Sequence, residues 1–95
     1  MKTTEQDLYD WNNEKNEQLR QERGVCFDDV VYHLAHDGLL DTIVHPNQRQ
    51  YPGQRIFIID IENYAWLVPF VEDGEVIFLK TIIPSRKMTR LYLRR

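Results

Sequence analysis

Three apolar stretches rich in β-branched and aromatic residues, "QRIFIIDIE", "AWLVPFV" and "VIFLKTII", follow one another between residues 54 and 83, with no more than four residues between neighbours. Parallel strands need a crossover of a dozen residues or more, so connectors as short as "NY" or "ENY" and "EDGE" leave antiparallel pairing. The spacing predicts a meander. A fourth stretch, "LLDTIVH", comes before it and is joined through the loop "PNQRQYPG". Both alternating faces of "RIFIIDI" and "VIFLKTI" are apolar, which predicts middle strands covered on both sides by helices. Pro69 donates no ladder hydrogen bond, so "AWLVPFV" should carry a bulge or lie at an exposed edge.

The helices lie on either side of these strands in the chain. Asn12 is a good N-cap, Asn13 to Arg23 is a polar run of helix formers, and Gly24 is the stop. In "VCFDDVVYHLAHDG", Phe27, Val30, Val31 and Leu34 fall at i, i+3, i+4 and i+7, one apolar stripe that ends at Gly38. After Pro84, "SRKMTRLYL" reads as a last helix capped by Ser85. The expected fold is α+β, with two N-terminal helices, a four-stranded mainly antiparallel sheet and a short C-terminal helix. With 95 residues at 42% hydrophobic, the chain can bury one modest core, so residues 1–95 form a single domain. Cys26 is the only cysteine, which rules out an intrachain disulfide and a cysteine-based zinc cluster and fits a reducing cytoplasm. "MKTTEQDLYD" lacks the apolar centre of a signal peptide, and "VIFLKTII" is too short and charged to span a bilayer. The expectation is a cytoplasmic protein with no membrane partner.

Charge is segregated along the chain. Residues 76–95 hold six Lys or Arg and no acid, whereas residues 1–75 hold six against fifteen Asp or Glu. Such a division points to one face that meets a polyanion or an acidic partner. The last helix would put Ser85, Arg86 and Lys87 in its first turn with Lys80 nearby, a hydroxyl and cations where backbone N–H groups are free to hold phosphate. Arg90, Arg94 and Arg95 have a competing explanation, since cations in the last turn offset the helix dipole. For proton transfer the candidates are His45, Tyr92, Lys80 and Lys15; His45 suits the chemistry, although a strand-end histidine before a proline is also ordinary. His33 and His36 are read as the polar side of their helix rather than as metal ligands, and no metal or cofactor is expected.

Three blocks together resemble the BrnT family of bacterial type II toxins, ribonucleases of the RelE-like superfamily: "WNNEKNEQLRQERGVCFDDV", "QRIFII" and "IIPSRKMTRLY". The resemblance implies a RelE-like fold and metal-independent cleavage of mRNA by a ribose 2′-OH activated against its neighbouring phosphate. It implies an RNA-facing site of Arg55, Arg86 and Lys87, with Lys15 a further candidate. Arg55 and Arg86 would hold the phosphate, His45 and Lys80 are candidates for the remaining catalytic work, and Ser85, Arg90 and Tyr92 are further RNA contacts. It also implies a cognate antitoxin, commonly a ribbon-helix-helix protein, which brings the pair to operator DNA. Arg23, Cys26 and Gln54 depart from the family's His, Ser and Glu. The Cys26 change should weaken the second helix's cap by about 1 kcal/mol. A second class of function also fits, a catalytically silent module that docks an antitoxin. An enzyme needs Arg55 and Arg86 close enough to share a phosphate, whereas a module needs only an exposed basic patch. A third class is a small structural domain in which the charge division is incidental.

Overall fold

A computed structural model describes residues 8–94. In chain order it contains β1 (Tyr9–Asp10), α1 (Asn13–Arg23), α2 (Phe27–Ala35), β2 (Leu39–Val44), β3 (Arg55–Ile61), β4 (Tyr64–Asp73), β5 (Val76–Leu79), β6 (Ile83–Pro84) and α3 (Arg86–Tyr92). The strands form one sheet in the order β1-β5-β4-β3-β2, with β6 also paired to β4. Every pairing is antiparallel except that of β1 with β5. The fold is therefore α+β, with two N-terminal helices, a mixed but mainly antiparallel sheet and a short C-terminal helix. The meander of the sequence is β2 to β5. The two-residue strands β1 and β6 were not expected, because two residues carry no readable period. Among the described residues no helix is long and apolar enough to cross a membrane.

The connection between β3 and β4 differs from the expected "NY" or "ENY". Tyr64 already pairs with Ile61, so the turn consists of Glu62 and Asn63, both with positive φ, 54° and 69°. Two such residues match the right-handed twist of the flanking strands. Between β4 and β5 the turn is Gly74 and Glu75, with φ of 62° at the glycine.

Pro69 lies within β4, opposite Ile56, and is buried. On the other side of β4 the ladder breaks beside it. Pairing with β5 stops at Phe70 and Leu79, and pairing with β6 resumes at Leu67 and Ile83. Residues 80–82 thus oppose residues 68 and 69, a bulge on the partner strand that places no donor demand on the proline. The Pro69 carbonyl still accepts from the Lys80 N–H at 2.8 Å.

Both faces of β3 are covered. Phe57, Ile59 and Ile61 point to one face with Val68, Phe70 and Leu79, where Leu19 of α1 and Phe27, Val30 and Val31 of α2 complete the core. The other face holds Ile56 and Ile58, 5% and 0% exposed, on the side where Tyr92 of α3 reaches Asp41 opposite Ile58. Helix α3 is fastened at the sheet edge as well. The Ser85 N–H donates to the Ala65 carbonyl, and the Ala65 N–H donates to Thr89 Oγ1 at 2.8 Å.

The first helix begins and ends as the sequence predicts, with Asn12 accepting from the Lys15 N–H and Gly24 in the left-handed region. The second is capped in an unexpected way. Buried Asn16 of α1 accepts from the Phe27 N–H at 2.6 Å, and Asp29 accepts from the Cys26 N–H at 2.9 Å. These bonds satisfy the N-cap and N1 amides, while the Asp29 N–H that a serine hydroxyl would hold donates to the Cys26 carbonyl at 3.0 Å. At the other end of α2 the left-handed residue is Asp37, with φ of 65°, rather than Gly38.

Candidate nucleic-acid interface

The basic segment folds into the end of β5, the bulge, β6 and α3. Ser85 caps α3, its Oγ accepting from the Met88 N–H at 3.1 Å. Lys80, Arg86, Lys87, Arg90 and Arg94 are all exposed. None of these five side chains forms an ion pair or hydrogen bond among the described residues; the Lys80 ammonium rests 5.4 Å from the centre of the Phe78 ring. Cations elsewhere are more often engaged: Arg20 with Glu17 and Asp28, Arg55 with Glu72, and Arg23 on the Ile82 carbonyl. Lys87, Arg90 and Leu91 line a shallow depression of about 250 Å³ on α3. Arg95 lies outside the described residues.

Tyr92 is committed to the fold. Its hydroxyl donates to Asp41 Oδ2 at 2.5 Å, a bond that holds the Asp41 carboxyl below its ordinary range and raises the Tyr92 phenol.

The remaining expected residues are not gathered at α3. Arg55 begins β3 on the face that carries α1 and α2, with its guanidinium 3.0 Å from Glu72 and 5.3 Å from the centre of the Phe70 ring. The acid absent at position 54 is thus supplied across the sheet by Glu72. Arg86 follows β6, whose Pro84 pairs with Trp66, and Trp66 in turn pairs with Ile59. Ile59 is four residues from Arg55, about 13 Å along the strand, and two strand spacings add about 10 Å across it. Arg55 and Arg86 therefore start from different ends of the sheet, and Glu72 and Phe70 hold the Arg55 guanidinium at its own end. His45 belongs to the Arg55 end, where its N–H donates to the Gln54 carbonyl, its Nδ1 accepts from the Asn47 N–H and its ring lies against Tyr51. Lys15 is on α1, half-buried and without an ion pair among the described residues.

A feature the sequence reading missed lies beside the basic segment. A cavity of about 370 Å³ opens between the α1–α2 junction and the β3–β4 turn, lined by Arg23, Asp29, His33, Glu62, Tyr64 and Trp66 among others. His33, read from sequence as part of a polar helix face, lines this cavity. One signal was available in the sequence: glutamate is a poor residue for a two-residue hairpin turn, where asparagine and glycine are favoured. Finding it required the correct turn register.

Among the described residues, no group of three or more His, Cys, Asp or Glu converges as a metal site. No family model matches the chain, and no curated protein or solved structure matches it.

Proposed function

We propose that this chain is the toxin of a type II toxin–antitoxin pair, a metal-independent endoribonuclease that holds mRNA along α3. The observation that supports it is the set of cations, Lys80, Arg86, Lys87, Arg90 and Arg94, that have no ion pair among the described residues, on one segment of an acidic protein. Free guanidinium groups grip two phosphate oxygens and stabilise the extra negative charge that develops when a 2′-OH attacks its neighbouring phosphate. Requirement for the 2′-OH makes the substrate RNA rather than DNA. In this geometry Arg86 and Lys87 carry the phosphate role, and Arg55 does not join them. An antitoxin would cover the same face with acidic groups, since a blocking partner must match the charge of what it displaces.

The separation of Arg55 from Arg86 favours a second reading, a silent module that uses the same face only to dock its antitoxin. One experiment decides between them. The purified chain is incubated with end-labelled RNA in excess chelator, beside Arg55→Ala and the double variant Arg86→Ala/Lys87→Ala. The enzyme reading expects cleavage that survives the chelator and Arg55→Ala and disappears in the double variant. RNA left intact, whether bound or not, would sink the enzyme reading and leave the docking module, and RNA that is not bound would in addition remove this face as an RNA site.

A further inference from the structure

The cavity between the α1–α2 junction and the β3–β4 turn takes no part in the phosphate chemistry above, yet it adjoins the basic segment. Trp66 on its wall pairs with Pro84, the next residue is the α3 cap Ser85, and Arg23 on its rim donates to the Ile82 carbonyl. The cavity lies on the face of α1 and α2, and α3 packs toward the other, so the β6 edge is what joins the cavity wall to the start of α3. Its volume of about 370 Å³ falls within the range of small-ligand sites.

The lining selects among possible ligands. Tyr64 and Trp66 contribute two half-buried rings, and aromatic rings stack on the exposed bases of single-stranded RNA. Of the two carboxylates, Asp29 already accepts from the Cys26 N–H and faces the Cys26 thiol at 3.4 Å. Glu62 has no hydrogen bond or ion pair among the described residues. A free carboxylate only accepts, and its two oxygens match two parallel N–H groups. Guanine presents such a pair, N1–H and N2–H, on its Watson–Crick edge; adenine, cytosine and uracil each place an acceptor beside their donor. The backbone adds an independent observation. Glu62 has φ of 54° at a turn position where asparagine or glycine is relaxed, so local conformation does not account for a glutamate there.

We propose that this cavity is a base subsite for a guanine of single-stranded RNA, with Glu62 accepting from N1–H and N2–H and Trp66 stacking on the ring. The proposal rests on the RNA-binding reading of α3. To test it, the full chain is titrated with the 2′-O-methyl pentanucleotides UUGUU and UUUUU and with guanosine monophosphate, following tryptophan fluorescence. The Glu62→Gln and Arg86→Ala/Lys87→Ala variants are titrated in parallel.

The wild type is expected to bind UUGUU about 10-fold more tightly than UUUUU. Glu62→Gln should erase that ratio while keeping the UUUUU affinity, because its amide turns a donor toward the guanine donors. The double variant should weaken both oligonucleotides and keep the ratio. Equal binding of the two by the wild type would overturn the guanine subsite and leave α3 as the RNA site. If neither oligonucleotide binds, the α3 reading fails and guanosine monophosphate decides the cavity by itself: a response lost in Glu62→Gln supports the subsite, and no response overturns it.

Discussion

Asn16 sits in the first helix but serves the second. Its carbonyl oxygen accepts from the Phe27 N–H, one of the amides an α-helix leaves unpaired, and its amide nitrogen lies 3.4 Å from Asp28. Replacing it by alanine strands a buried donor, so Asn16→Ala is expected to lower stability by about 1–3 kcal/mol in urea unfolding. No sequence rule assigns an asparagine to the cap of a helix eleven residues ahead, since the bond exists only once α1 and α2 have packed. The Tyr92–Asp41 bond gives a pH prediction at the same scale. Asp41 is held below its ordinary value of about 3.8, so its contribution is complete above that value and is lost as pH falls through the lower folded value. Tyr92 is raised above about 10, so its contribution is complete below that value and is lost as pH climbs through the higher folded one. The difference in Tm between wild type and Tyr92→Phe should be constant between about pH 5 and 9 and shrink on either side. A difference independent of pH would show that the bond does not couple to either ionisation.

At the scale of elements, the joints between helix and strand show what a glycine is for. Gly38 reads from sequence as a helix stop, but the left-handed residue is Asp37, and what Gly38 supplies is the lack of a side chain. A Cβ there would meet the His33 carbonyl oxygen at 2.7 Å and the His33 Cβ at 2.8 Å. Its own N–H donates to that carbonyl at 2.7 Å and its carbonyl accepts from Asp60 at 2.8 Å, so backbone on both sides opposes any shift. Gly38→Ala should therefore cost about 1–3 kcal/mol, read as a lower urea midpoint with unchanged slope. Pro69 teaches a related lesson. Its missing N–H made a broken ladder legible in the sequence, but which strand carries the extra residue depends on where β5 ends and β6 begins.

For the whole molecule the governing feature is the division of charge, and it yields a prediction about salt. For single-stranded RNA, log affinity should fall linearly with log salt, with a slope of about −0.7 for each phosphate neutralised. Engagement of Arg86, Lys87, Arg90 and Lys80 would give a slope near −3, and Lys87→Ala should reduce its magnitude by about 0.7. Arg55→Ala should leave the slope unchanged, because Glu72 and Phe70 hold that arginine at the other end of the sheet.

The sequence by itself determined the order of the three helices and the four longer strands, the antiparallel meander, the caps at Asn12 and Ser85 and the clustering of cations at the C-terminal end. These follow from local propensity, loop length and composition, which act over a few residues. Tertiary structure alone decided that Arg55 and Arg86 lie apart, that Asn16 caps its neighbour, and that Glu62 and Trp66 meet around one cavity. Each of those depends on strand register and on which face a helix covers, and pairing one residue out of step would turn every side chain to the opposite face.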